Sequence, residues 1–150
     1  MDTEKLSSGI CAIARSLAHV GDAWSALILR DAYAGMTQFD QFRTSLGIAP
    51  NILSRRLKAL TEVGVLEKRR YSERPPRDEY VLTQAGRDFL PILAAMAEWG
   101  RRYNGEGRLS YLVDDETGCR VHAVVVDEST GKPLSSLSMH MEIADCIPGA

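Results

Sequence analysis

Residues 50–83 read PNILSRRLKALTEVGVLEKRRYSERPPRDEYVLT, which gives a short basic helix, a strand, a stiff proline turn and a second strand in that order. At 3.6 residues per turn, Leu53, Leu57 and Leu60 fall on one side and Asn51, Ser54, Arg55 and Lys58 on the other. One side can pack while the other faces a groove of DNA. Pro50 suits the first helical turn, where its missing N–H loses nothing, and Gly64 follows Val63 where a left-handed residue often ends a helix. The pattern therefore predicts a helix over 50–63, then strands VLEKRRY and EYVLT around the turn SERPPRD, read as a wing. Pro75 and Pro76 stiffen that turn and hold Arg74 and Arg77 near its tip, where planar guanidinium groups match phosphate oxygens or a narrow minor groove.

Upstream, three more helices are expected. Residues 7–18 form an amphipathic helix capped by Ser7 or Ser8, with Ile10, Ile13, Ala14 and Leu17 inward. Asp22 caps the next, AWSALILRDAYA, whose Trp24, Leu27, Ile28 and Ala32 make a wide apolar stripe ending at Gly35. Thr37, with Asp40 three residues on, resembles a capping box ahead of QFDQFRTSL, whose Phe39, Phe42 and Leu46 pack inward. The three-residue link GIA then holds this helix and the basic one at a fixed angle, as a helix-turn-helix. Ala49 offers the basic helix no side-chain cap.

Downstream, Thr83 caps a long helix, QAGRDFLPILAAMAEWGRRY, whose apolar residues cover more than one face, and Pro91 is expected to kink it. The surplus apolar surface predicts a dimer interface shared by the first helix and helix 83–103. From Asn104 the chain turns acidic and strand-like, with Thr-Gly turns at 117–118 and 130–131 and an alternating run from Arg120 to Val126. The expected architecture is α+β, mainly α: a winged helix-turn-helix with a long C-terminal dimerisation helix, residues 1–103, and a small β-rich appendage, residues 104–150.

Charge separates along the chain although its total is only −2. Residues 43–77 hold nine basic and three acidic groups, net +6, whereas residues 104–150 are net −5. A local basic surface is what release of counterions from phosphate requires, and an acidic remainder discourages wrong orientations. No run approaches the ~18 apolar residues of a membrane span, and the first residues lack a basic segment leading into an apolar stretch. Three dispersed cysteines do not suggest a disulfide framework, so a reducing cytoplasm is expected. No Ser/His/Asp order, phosphate loop or paired acids stand on turn scaffolding, which argues against an enzyme.

Three segments carry a family likeness: GDAWSALILRDAYAG (21–35), FDQFRTSLGIAPNILSRRLKALTEVGVLEKRRY (39–71) and ERPPRDEYVLTQAG (73–86). Together with Cys11 they resemble the HxlR-type winged helix-turn-helix transcription regulators over roughly residues 9–103. The resemblance rests on Gly-Asp-x-Trp, Leu-Ser-x-Arg-Leu, Arg-Pro-Pro-Arg and Leu-Thr-x-x-Gly in order. It implies bacterial homodimers on double-stranded operator DNA, with the first and last helices at the dimer interface. Where family members carry Ser at the basic-helix cap, this chain has Ala49. Some relatives carry a metal-binding ribbon with Cys-x-x-Cys knuckles; this tail has none of those pairs.

The expected DNA-binding set is Thr37, Asn51, Ser54, Arg55, Lys58, Arg70, Arg74 and Arg77. Arg55 can pair with guanine and Asn51 with adenine, while Arg70 and its neighbours serve phosphate. Arg56 falls toward the packed side, in service of the fold. Cys11 is a candidate redox sensor, since relatives include thiol-based sensors, with buried apolar packing as the plainer role. Cys119, His122, His140 and Cys146 offer a loose four-ligand zinc pattern, although Cys119 and His122 would lie on opposite faces of a regular strand; no metal or other cofactor is expected. A small-molecule effector near Trp24, Met96 and Trp99, and a protein-interaction module that uses the basic helix and acidic tail without DNA, stay open as alternatives.

Overall fold

The computed structural model describes residues 7–142. Helix α1 spans Ala12–Val20, α2 Ala23–Tyr33, α3 Phe39–Leu46 and α4 Pro50–Glu62; strands β1, Leu66–Glu73, and β2, Pro76–Leu82, follow, then α5, Gln84–Arg87, and α6, Leu90–Tyr103. This is the expected winged helix-turn-helix, mainly helical with one antiparallel ribbon. Its core is small and contiguous. Ile28 and Leu29 of α2, Phe42 of α3, Leu53, Leu57 and Leu60 of α4, and Leu66 of β1 are almost completely buried, with Ile48 of the α3–α4 link beside them. Helices α3 and α4 contribute the apolar side their period predicts, whereas on α2 the fully buried pair is Ile28 and Leu29, with Trp24 and Ala32 packed beside the core and Leu27 only half-buried.

Several local expectations change. The first helix starts at Ala12 with Cys11 in the cap position, and the Cys11 side chain makes no capping bond. Ser8, Gly9 and Ile10 before it form a turn and bend, at a point where serine and glycine are poor helix formers. Its apolar stripe does not face inward: Ile10, Ile13 and Leu17 are more than half exposed and only Ala14 is half-buried. Helix α3 is started by Gln41, whose Oε1 accepts from the backbone N–H of Thr37 and of Gln38, both at 2.9 Å; the longer amide reaches back where Asp40 does not.

Pro91 divides the long helix. It is the second residue of α6, where a missing N–H costs nothing, and the chain turns through Asp88 and Phe89 between α5 and α6. The wing is longer and tighter than predicted, with only Arg74 and Pro75 outside its strands. Its register slips between Arg70 and Ser72, leaving Tyr71 as a bulge.

Compactness divides the chain between Leu93 and Ala94, whereas composition changes at Asn104. In the second unit Glu98 pairs with Arg101 and approaches His122 at 3.8 Å, and Arg101 donates to the Ser110 carbonyl at 3.1 Å. The tail is not β-rich among the described residues. It has two isolated bridges, Val113 with Arg120 and Val126 with Pro133, and a 3₁₀ turn at Leu134–Ser136. Hydrogen bonding closes on local turns in place of a ladder. Each bridge encloses the same Asp-x-x-Thr-Gly loop, 114–118 and 127–131, with both glycines at φ +67°. The Asp114 carboxylate accepts from the N–H of Glu116 and Thr117, and Asp127 from the N–H of Thr130 and the hydroxyls of Ser129 and Thr130. These bonds hold both carboxyls below their ordinary range, backbone donation leading at Asp114 and the Thr130 hydroxyl at Asp127. Among the described residues no helix is long and apolar enough to cross a membrane.

Candidate nucleic-acid interface

Helix α4 is anchored by its leucines and bounded by Pro50 in its first turn and by Gly64, at φ +74°, just past its end. With Leu53, Leu57 and Leu60 at essentially zero exposure, the opposite side must face solvent. Asn51, Ser54, Arg55 and Lys58 are all exposed there. The Arg55 side chain makes no hydrogen bond or ion pair among the described residues, and Lys58 has only a loose i,i+4 contact with Glu62 at 3.6 Å. Arg56, half-buried on the flank, meets Asp22 at 3.2 Å, in line with the scaffold role its position suggests.

The wing presents its cations differently. Lys68 lies 2.9 Å and Arg70 3.1 Å from the Asp78 carboxylate, Arg70 also approaches Glu73 at 3.8 Å, and Arg69 pairs with Glu67 at 2.9 Å. Lys68 first and then Arg70 hold the Asp78 carboxyl below its usual range, and the same contact raises the Lys68 ammonium. Donation from Arg69 lowers Glu67 in the same way, and Glu67 raises Arg69. By contrast Arg74 and Arg77, at and just after the tip, are exposed and have no ion-pair partner among the described residues.

Thr37 sits where the helices meet the wing. Its carbonyl accepts from Tyr80 N–H at 2.7 Å, and Gln38 bridges to Glu79, so the segment before α3 runs along β2. A shallow groove of about 330 Å³ between this segment and the wing is lined by Gln38, Phe39, Asp40, Tyr71, Arg77 and Asp78. Neither the bulged Tyr71 nor Gln38 stood out in the sequence, because a bulge and a single bridge leave no periodic trace.

Other sequence candidates do not converge. Cys11 is half-buried at the α1 cap, Cys119 is exposed, and neither is in a disulfide. Among the described residues no three His, Cys, Asp or Glu side chains gather as a metal site, so Cys119, His122 and His140 are not brought together; Cys146 lies outside the described residues.

The HxlR-like helix-turn-helix family model matches residues 19–108. An uncharacterized HTH-type transcriptional regulator of Mycobacterium tuberculosis is 43% identical over 91 residues, which are 61% of this chain and 58% of that protein. The matched segment thus spans less than two thirds of that relative. The crystal structure of PA1607, a candidate transcription factor, superposes with a TM-score of 0.82 at 37% identity, covering 94% of this chain and 99% of PA1607. The redox regulator HypR, in its reduced form, is 29% identical with a TM-score of 0.58, covering 64% of this chain and 98% of HypR.

Proposed function

The chain belongs to the HxlR-like helix-turn-helix family, and on that premise we propose that it is a homodimeric, sequence-specific regulator of transcription acting on double-stranded DNA in the bacterial cytoplasm, without catalytic activity. The observation that carries this reading is the two-sidedness of α4, three leucines wholly buried and four polar or cationic side chains exposed. Arg55 reads guanine O6 and N7, Asn51 reads adenine, and Ser54 and Lys58 complete the major-groove face. Arg74 and Arg77 grip backbone or minor groove, and Thr37 and Arg70 add phosphate contacts.

Dimerisation is assigned to two stripes left bare in the single chain. One is Ile10, Ile13 and Leu17; the other is Ile92, Met96, Trp99 and Tyr103 along α6, all half or more exposed. In this reading residues 1–103 bind DNA and dimerise, and residues 104–150 are an extension. Regulation by oxidants, electrophiles or a small molecule is part of the proposal. HypR is a redox regulator, and Cys11 is the thiol on which a comparable response would rest; full response to oxidant by Cys11→Ser would remove that part.

The decisive experiment is protection of DNA fragments selected by the protein from a random duplex library. A dimer with two recognition helices should protect two half-sites about one helical turn, ~34 Å, apart, with affinity falling steeply as salt rises. Absence of any salt-dependent duplex binding would favour the protein-interaction module.

A further inference from the structure

The side chain of Asp22 serves two elements at once. As N-cap of α2 its Oδ1 accepts from Ser25 N–H at 3.0 Å, and its other oxygen accepts from the Ser25 hydroxyl. The same Oδ1 lies 3.2 Å from Arg56 Nε on α4, an ion pair without hydrogen-bond geometry at that buried nitrogen. Ser25 is itself only 1% exposed, so the carboxylate is fixed to a rigid part of the core. Arg56 stands one residue, or 100° of helix rotation, from Arg55.

The buried leucines fix which side of α4 faces the core, whereas small rotations within that seat change the buried apolar area little, because burial itself has no preferred direction. Nor is the start of the helix pinned by a capping side chain, since position 49 is alanine. A rotation of 20° about the helix axis would move an outward side-chain tip by about 2 Å. That is more than a bidentate hydrogen bond to a base edge tolerates.

We propose that Asp22 is a positioning residue for DNA reading, acting through Arg56 to fix the rotation of α4 and hence where Arg55 and Asn51 point. The inference rests on the reading of α4 as the recognition helix and adds a determinant of specificity that touches no DNA. The ion pair makes no hydrogen bond through Arg56 Nε, but it attracts α4 at one off-axis point, which favours one rotation over its neighbours, and its acceptor is already oriented by the α2 cap.

The test compares wild type, Asp22→Asn, Arg56→Gln and the double variant. Asparagine caps a helix as well as aspartate, so Asp22→Asn keeps the α2 start while discharging the contact. Affinities are measured for a duplex selected by the wild-type protein and for random duplex, alongside melting temperature. Each single variant should lower the selected-to-random ratio about tenfold, and the double variant should lower it no further, the sign of one shared interaction. Random-duplex affinity should change by less than about twofold. Arg56→Lys, which keeps the charge, should restore part of the ratio.

An unchanged ratio in both single variants overturns the proposal. So does an equal loss on both duplexes, or a loss that simply follows falling melting temperature, since a merely structural contact would give either. If wild type itself shows no preference among duplexes, the recognition-helix reading fails; preference retained by the variants removes only the role of Asp22.

Discussion

The outer face of α4 and the strands of the wing share one sign of charge in the sequence, yet differ in what that charge can do. On α4, the Arg55 side chain has no partner among the described residues and Lys58 only a loose one. On the wing, Lys68, Arg69 and Arg70 each lie 2.9–3.1 Å from a carboxylate of the same ribbon. The net +6 of residues 43–77 therefore overstates the charge on offer to DNA, and the cations without an ion-pair partner among the described residues concentrate on α4 and at the wing tip, at Arg55, Arg74 and Arg77. Backing differs as well: three buried leucines seat α4, whereas the ribbon beyond Leu66 is mostly exposed along β1.

The most severe way to break the contrast is to remove the backing. Leu57→Ala, at a position of zero exposure, should cost about 2–5 kcal/mol of unfolding free energy, read from denaturant titration. Specific and non-specific DNA binding should then fall together as folded protein is lost. A loss under ~1 kcal/mol would mean that the leucine stripe does not seat the helix.

Next in size are substitutions that separate reading from gripping. Arg55→Ala should lose about 1–3 kcal/mol of affinity for a selected operator and relax specificity at one base pair. Equal losses on operator and random duplex would contradict its assignment to a base. Arg74→Ala, at the tip, should weaken all sequences alike and reduce the salt slope by about one counterion. A sequence-selective loss there would instead give the wing a part in reading the minor groove.

What could be read in the sequence follows the same division. Periodicity reports burial, so the leucines of α4, the Asp22 cap and the hairpin were all legible, as was the outward set Asn51, Ser54, Arg55 and Lys58. Partnership across elements was not. Nothing in the order of residues pairs Lys68 and Arg70 with Asp78, since that depends on hairpin register and on the slip at Tyr71. The α1 stripe reads as inward-facing yet is exposed, because amphipathicity marks which side seeks cover without saying whether the same chain supplies it. Pro91 was legible as an interruption, but a kink and a new helix start look alike until the intervening turn at Asp88 and Phe89 is seen. In the tail, alternation over Arg120 to Val126 suggested a strand, while the aspartate-closed loops that organise it announce themselves only as turn residues.

The smallest effect probes the pairing itself. Asp78→Asn should release Lys68 and Arg70 and raise affinity for random duplex a few-fold, with a steeper salt slope, leaving selectivity between duplexes unchanged. The pH dependence has a definite sign. Because its two cations depress the Asp78 carboxyl in the folded protein, its contribution to stability is fully present above the unfolded carboxylate value of about 3.9 and is lost as pH falls through the lower folded value. Between pH 6 and 8 the pairing is complete, so the gain in duplex affinity on Asp78→Asn should be the same throughout that range. The difference in melting temperature between wild type and Asp78→Asn should likewise be constant there and shrink only in acid. A gain that varied between pH 6 and 8 would place a different titrating group on the wing face, and no gain at all would mean that DNA displaces Asp78 at no cost, making the paired and unpaired cations equivalent.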